Sequence, residues 1–262
     1  MNDGNVRLRR LFMRFIFPFL LFLFFALPSQ GQFLDGGSGL LQMPTAMMEP
    51  SGTFMITNNF LNKHAIPEDA WGYHTFGYGF SISFWSRVEV RYICTIFDGK
   101  RKPNPSSRDL KMFNQDRHLS GRILLFREGD FGWSWAPNVA IGADDVDVGM
   151  FSPREGNGFF TRVYVVSSKS FNSSVGNVGA HLGYQFGRFS YYQPSGLYLG
   201  VDWTPVWLDS PSVSVKAIAE YDACTFNVGV IASFWDDRFE AMFELMALKW
   251  VNFGVRYKLV LK

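Results

Sequence analysis

The residues best suited to bind a metal or attack a carbonyl are four histidines and two cysteines, and their spacing argues against both uses. His64, His74, His118 and His181 are isolated, with no HxH or HxxxH pair among them. Cys94 and Cys224 lack the spaced partners of a zinc site. They could pair with each other, but two cysteines make no disulfide framework, and both lie in strand-like stretches, so they read as free, mostly apolar thiols. The chain has no GxSxG elbow, HExxH helix or phosphate-cradling glycine loop. A lipid-modifying enzyme would need Ser and His side by side on a lipid-facing rim with an orienting acid. Here His181 falls on a polar face, and His64, His74 and His118 fall in or beside expected loops. Asp144, Asp145 and Asp147 cluster at a strand end where calcium is conceivable, although solvated loop carboxylates suffice. No catalytic residue, metal or cofactor is expected.

A different set of charged residues recurs at every second position. In 212–222, Ser214, Lys216, Glu220 and Asp222 point one way, while Val213, Val215, Ala217, Ala219 and Tyr221 point the other. Strand side chains alternate faces, so such a segment has one apolar and one polar surface. The candidate binding residues on the polar surface are Glu89, Arg91, Arg122, Asp202, Lys216, Glu220, Asp222 and Arg256, joined by Arg162, His181, Glu240, Glu244 and Lys258. Both signs are present, and unpaired charges in a low-dielectric interior would be costly. The expected clusters are therefore Glu89 and Arg91 beside Arg122, and Glu240 and Glu244 beside Arg256 and Lys258. They would form either a salt-bridged filling or a hydrophilic, sugar-binding conduit.

About twelve alternating segments position these residues: 53–61, 73–85, 87–98, 118–127, 133–144, 159–170, 176–187, 196–208, 212–223, 226–234, 238–247 and 250–260. Most have the length of a tilted bilayer-crossing strand and exceed the soluble mode of about 5–6 residues. Long connections (62–72, 99–117, 145–158, 188–195) alternate with tight ones such as Ser86, Glu128–Gly132 and Asp236-Asp237. That sorting is the pattern of an outer-membrane barrel. Trp85, Trp133, Trp135, Trp203, Trp207, Trp235 and Trp250 fall near strand ends, where an interfacial girdle would sit. The polar loop Pro103–Arg108 belongs to one long connection.

Composition agrees. Of 262 residues, 47% are hydrophobic and 18% aromatic, with only 18% charged, below the roughly 25% of soluble domains. The chain holds 28 Phe, 10 Tyr and 8 Trp, and in a soluble sandwich or lipocalin-like barrel the inward set would be crowded with Phe and Tyr while Gly, Ser and charges faced water. The net charge of +2 comes from Arg7, Arg9, Arg10 and Arg14 near the N-terminus, so a nucleic-acid partner is not expected. Those arginines precede the apolar run Phe15–Leu27 and Pro28-Ser29-Gln30-Gly31, the pattern of a cleaved secretory signal. The expected organisation is a signal peptide at 1–31, a periplasmic or lumen-plugging segment at 32–52, and one all-β antiparallel transmembrane barrel of about twelve strands at 53–262.

The stretch Gly36-Gly37-Ser38-Gly39-Leu40-Leu41-Gln42-Met43-Pro44-Thr45-Ala46, followed by Pro50-Ser51-Gly52-Thr53-Phe54, resembles the opening of the YjbH-like outer-membrane β-barrel family. The likeness continues through Val88–Tyr92, Leu125–Asp130, Val139–Asp144, Val165–Lys169, Leu199–Trp203, Lys216–Asp222 and Phe226–Val230. Met47 replaces the family's usual Arg, the last hairpin diverges, and Lys262 replaces a terminal aromatic. The resemblance implies a non-enzymatic role in exopolysaccharide or capsule secretion or assembly, in the outer membrane of a Gram-negative bacterium. Implied partners are outer-membrane lipid, polysaccharide, other secretion-system proteins and the barrel-assembly machinery. A porin-like channel for small solutes, or an outer-membrane lipid-modifying enzyme, are the alternatives.

Overall fold

The computed structural model describes residues 36–66, 72–97, 114–146, 160–187 and 195–261. The expected signal segment, the Pro103–Arg108 loop and Asp147 lie outside the described residues. Twelve strands follow one another: β1 (Thr53–Leu61), β2 (Thr75–Phe84), β3 (Val88–Phe97), β4 (Asn114–Phe126), β5 (Asn138–Asp144) and β6 (Arg162–Ser173), then β7 (Gly176–Gly187), β8 (Gly196–Pro205), β9 (Val213–Asp222), β10 (Phe226–Phe234), β11 (Phe239–Met246) and β12 (Trp250–Val260). Each pairs antiparallel with its sequence neighbours, and β12 pairs with β1 to close the barrel. At that seam Thr53 lies opposite Val260 and Phe60 opposite Phe253.

Period-two alternation sorts the two faces as expected. On β2, Phe76, Phe80 and Phe84 are exposed while Thr75, Ser81 and Ser83 are buried. Outward aromatics pack across strands, with Phe54 and Phe80 centroids 5.8 Å apart and Phe60 stacked on Phe253 at 4.7 Å. A closed sheet satisfies its backbone polar groups between strands, and an apolar outer face then meets lipid at no hydrogen-bonding cost. Among the described residues no helix is long and apolar enough to cross a membrane.

One rim carries the connections 85–87, 127–137, 174–175, 206–212 and 235–238, and we term it the turn rim. The opposite loop rim carries 62–74, 98–113, 145–161 and 188–195, and then only 223–225 and 247–249. The β2–β3 turn places Trp85 and Ser86 at positive φ (53° and 50°) and closes with the Arg87 N–H on the Phe84 carbonyl at 2.9 Å. Two successive positive-φ residues match the twist of an antiparallel pair.

Several strand bounds shift, among them β6, which runs Arg162–Ser173 and not 159–170. β5 begins at Asn138 rather than 133, because Pro137 has no N–H to donate to a ladder and the preceding residues fold into successive turns. Those turns are closed by Asp130 on Arg127, Gly132 on Gly129 and Ala136 on Trp133, with Gly129 and Gly132 at positive φ. The β4–β5 connection is therefore longer than Glu128–Gly132, and Trp133 and Trp135 stack on it at 5.1 Å. β4 begins at Asn114, so His118 lies within a strand and is buried instead of sitting at a loop edge. β8 stops at Pro205, since Val206–Leu208 form a 3-10 turn.

Candidate functional site

The lumen is occupied by the chain's own segment 36–49, which crosses it before entering β1. The segment has few charges of its own, with Glu49 its single ionisable residue, and turns on itself through the Gly39–Pro44 bridge. Leu40, Leu41 and Met43 are buried in one cluster with Leu124, Val166, Tyr198, Ile218, Ile231 and Met242, contributed by β4, β6, β8, β9, β10 and β11. The lumen wall thus carries an apolar belt at the height where the segment crosses. Each leucine or methionine buried there contributes on the order of 1.5–3 kcal/mol. Gly200 forms a notch in this wall, where a Cβ would stand 2.5 Å from Leu40 Cδ1 and 3.0 Å from Met43 Sδ.

Above and below that belt, lumen charges hold the segment through its backbone and small polar groups. Glu220 accepts three consecutive backbone N–H groups, from Leu41 at 3.0 Å, Gln42 at 2.6 Å and Met43 at 3.4 Å. The Gln42 amide donates to Glu244 at 2.9 Å, and Asn252 donates to the same oxygen at 2.7 Å. Ser38 donates to Glu89 from its hydroxyl at 2.5 Å and its backbone N–H at 3.3 Å. Arg122 donates to the Thr45 carbonyl, to Met47 O at 3.3 Å and to Ser38 Oγ at 2.5 Å. Arg256 reaches Gly37 O at 2.6 Å, and Ser168 Oγ accepts the Ala46 N–H at 2.8 Å. Nearly every plug contact here joins a charged wall group to a neutral plug group.

The wall charges also pair with one another. Glu89 and Arg122 are direct cross-strand partners 3.0 Å apart, and Arg91 Nε lies 3.7 Å from Glu89. Glu240 and Arg256 are cross-strand partners at 2.6 Å, and Lys258 reaches Glu240 at 2.9 Å, Asp237 at 2.7 Å and Glu49 at 2.9 Å. The expected neighbours are therefore together, except that Glu244 turns to Gln42 and Asn252. Asp144 bridges Arg91 and Arg162, each at 2.6 Å. Asp145 is buried and accepts the Phe160 N–H at 3.0 Å, so these two acids are structural acceptors rather than solvated loop groups. Arg162 also lies over the Tyr164 and Tyr198 rings, 5.7 and 5.9 Å from their centroids.

Asp202, Lys216 and Asp222 fall outside the plugged section. Asp222 caps the β9–β10 turn, accepting from the Cys224 N–H at 3.0 Å and the Thr225 N–H at 2.7 Å. Cys224 and Cys94 are free thiols, and burial, reinforced by the Asp222 carboxylate, pushes the Cys224 thiol above its ordinary value. Asp202 and Lys216, 3.9 Å apart, line a cavity of about 660 Å³ between the plug and the barrel wall, which Glu240, Arg256 and Lys258 also border and which extends to turn-rim residues Asp209, Pro211 and Asp236. Among the described residues its lining includes the His181 imidazole but no Phe, Tyr or Trp, so the broad rings that stack best on carbohydrate are not there.

A contact that sequence reasoning missed lies beside this cavity. His181 Nδ1 is 2.8 Å from Ser168 Oγ and its Nε2 is 2.7 Å from Asp202 Oδ2. Ser168 and His181 are cross-strand partners on β6 and β7, so their adjacency was latent in the register. The three residues stand in a Ser–His–Asp chain, but on the lumen face, with Ser168 buried beneath Ala46. Also missed were Gln42 and the apolar belt. The available signal was that Ile218, Ile231 and Met242 interrupt otherwise polar inward positions.

The fold and lumen define a closed, twelve-stranded β-barrel plugged by its own N-terminal segment. The YjbH family model, described as exopolysaccharide biosynthesis protein YbjH, matches residues 29–194, more than half of the chain, and the chain belongs to that family. No curated protein sequence matches it. Among solved structures, a KdgM porin is similar at 10% identity with a TM-score of 0.44, covering 78% of this chain and 98% of that one.

Proposed function

We propose that the protein takes part, without catalysing a reaction, in exopolysaccharide or capsule secretion or assembly in the outer membrane of a Gram-negative bacterium. The observation that carries this reading is that the family's opening motif, Gly39–Ala46, is the segment that fills the lumen. The motif thus stands where it obstructs the barrel. Outer-membrane lipid covers the exterior, the barrel-assembly machinery inserts the chain, and polysaccharide with other secretion proteins meets its rims. The test is deletion and complementation, with secreted polysaccharide as the readout. Loss on deletion and return on complementation support the role, and unchanged polysaccharide overturns it.

Two alternatives give different results. A general small-solute porin conducts steadily in planar bilayers and leaves secreted polysaccharide untouched, whereas the plug predicts a quiet wild-type barrel. A lipid-modifying enzyme would use the Ser168–His181–Asp202 chain, and its activity would vanish on Ser168→Ala. Burial of Ser168 favours a positioning role, so that variant is expected to release polysaccharide as the wild type does.

A further inference from the structure

We infer that the plug occupies a binding site for an uncharged, polyhydroxylated chain, and that the plug and a neutral polysaccharide compete for the same lumen surface. The inference rests on the proposed role in polysaccharide secretion and narrows its substrate class.

The argument is one of matched chemistry. The wall offers acceptors at Glu89, Glu220 and Glu244 and donors at Arg122 and Arg256, and each meets a neutral partner on the plug: an N–H, an amide, a hydroxyl or a carbonyl. A ligand that replaces the plug must satisfy both kinds of group at once, or leave buried polar atoms unpaired at about 1–3 kcal/mol each. Sugar hydroxyls donate and accept, as the Ser38 hydroxyl does between Glu89 and Arg122. A polyanion would meet three carboxylates, and a polycation would meet two guanidinium groups. Specificity of this kind comes as much from repelling the wrong chain as from attracting the right one. Between these polar groups the apolar belt, with Tyr164 and Tyr198 in the same buried cluster, provides the surface that the C–H faces of sugar rings need. The wall is also fitted to its present occupant, since the missing side chain at Gly200 makes room for Leu40 and Met43.

Two experiments use the full chain. In the first, hydrogen exchange at the Leu41, Gln42 and Met43 amides of the wild-type protein in detergent is followed with a neutral glucose hexamer, a galacturonate hexamer and a glucosamine hexamer. Faster exchange with the neutral hexamer alone is the expected result. No change with it, or equal change with a charged one, overturns the inference. The second records planar-bilayer current from two variants that loosen the plug from opposite sides, the double substitution Leu40→Ala with Leu41→Ala, and Gly200→Val, each checked for heat-modifiable mobility. Both are expected to conduct, and the neutral hexamer to block them at about tenfold lower concentration than either charged one. Folded variants that stay quiet, or that are blocked equally by all three, overturn it. Polysaccharide release tests the functional reading separately, so a failure of either is distinguishable from a failure of both.

Discussion

The lumen contains two regions built from similar residues and used differently. In the plugged section, Glu89, Arg122, Glu220 and Arg256 are buried and each holds the plug segment. In the cavity beside it, Lys216 faces open space with 42% of its side chain exposed, while Asp202, 13% exposed, is held by His181 Nε2 at 2.7 Å. A lumen cation is thus a fixed structural partner in one place, as Arg122 is, and a solvated group in the other, as Lys216 is. What separates them is whether another chain segment covers them, since removing water makes an unsatisfied charge far more costly.

Substitutions should reproduce that contrast. Arg122→Ala removes the partner of Glu89 and the donor to Thr45 and Met47, and is expected to cost about 3–5 kcal/mol, the usual penalty for stranding a buried charge. Urea unfolding in detergent micelles would measure it, and a loss below about 1 kcal/mol would mean that Arg91 and Ser38 suffice to hold the Glu89 charge. Leu40→Ala should cost about 2–3 kcal/mol, toward the low end for a buried leucine because the plug can relax into the adjoining cavity. Lys216→Ala should change stability by no more than about 0.5 kcal/mol, because a half-exposed pair at 3.9 Å is screened by water. A larger effect would erase the distinction between the two regions.

The smallest effect belongs to the turn rim. The Arg127 N–H, followed by the Arg87 guanidinium, holds the Asp130 carboxyl below its ordinary value of 3.8. A carboxyl lowered in the folded state adds stability that is present above its unfolded value and lost as pH falls through the folded one. Local amide exchange at Arg127 should therefore quicken only in acid, below the ordinary range of an aspartate. Asp130→Asn should remove that pH dependence.

Much of the barrel was legible because a strand crossing lipid must repeat every second residue. Phe76, Phe80 and Phe84 face outward as their spacing required, and Glu89–Arg122 and Glu240–Arg256 are neighbours as the strand order required. The plug's course across the lumen was not legible, because segment 36–49 is irregular and carries no periodic signal. Its contacts with Glu220 run through backbone N–H groups, which every residue but proline possesses. The length of β4 was hidden for a related reason: Asn114–Arg117 is polar enough to pass for loop, and only pairing with β3 makes it strand.

The plug also has a consequence for the order in which the molecule is built. Its anchors lie far along the chain, with Leu41 and Gln42 reaching Glu220 across 179 and 178 positions and Gly37 reaching Arg256 across 219. Contacts so distant in sequence form late, once nearer pairings have shortened the intervening chain. β1, which continues directly from the plug, finds its second neighbour only in β12. The first described segment therefore gains its full set of partners only after the last strand is in place. Resistance of residues 36–49 to protease during insertion would accordingly report completion of the ring, not the start of its assembly.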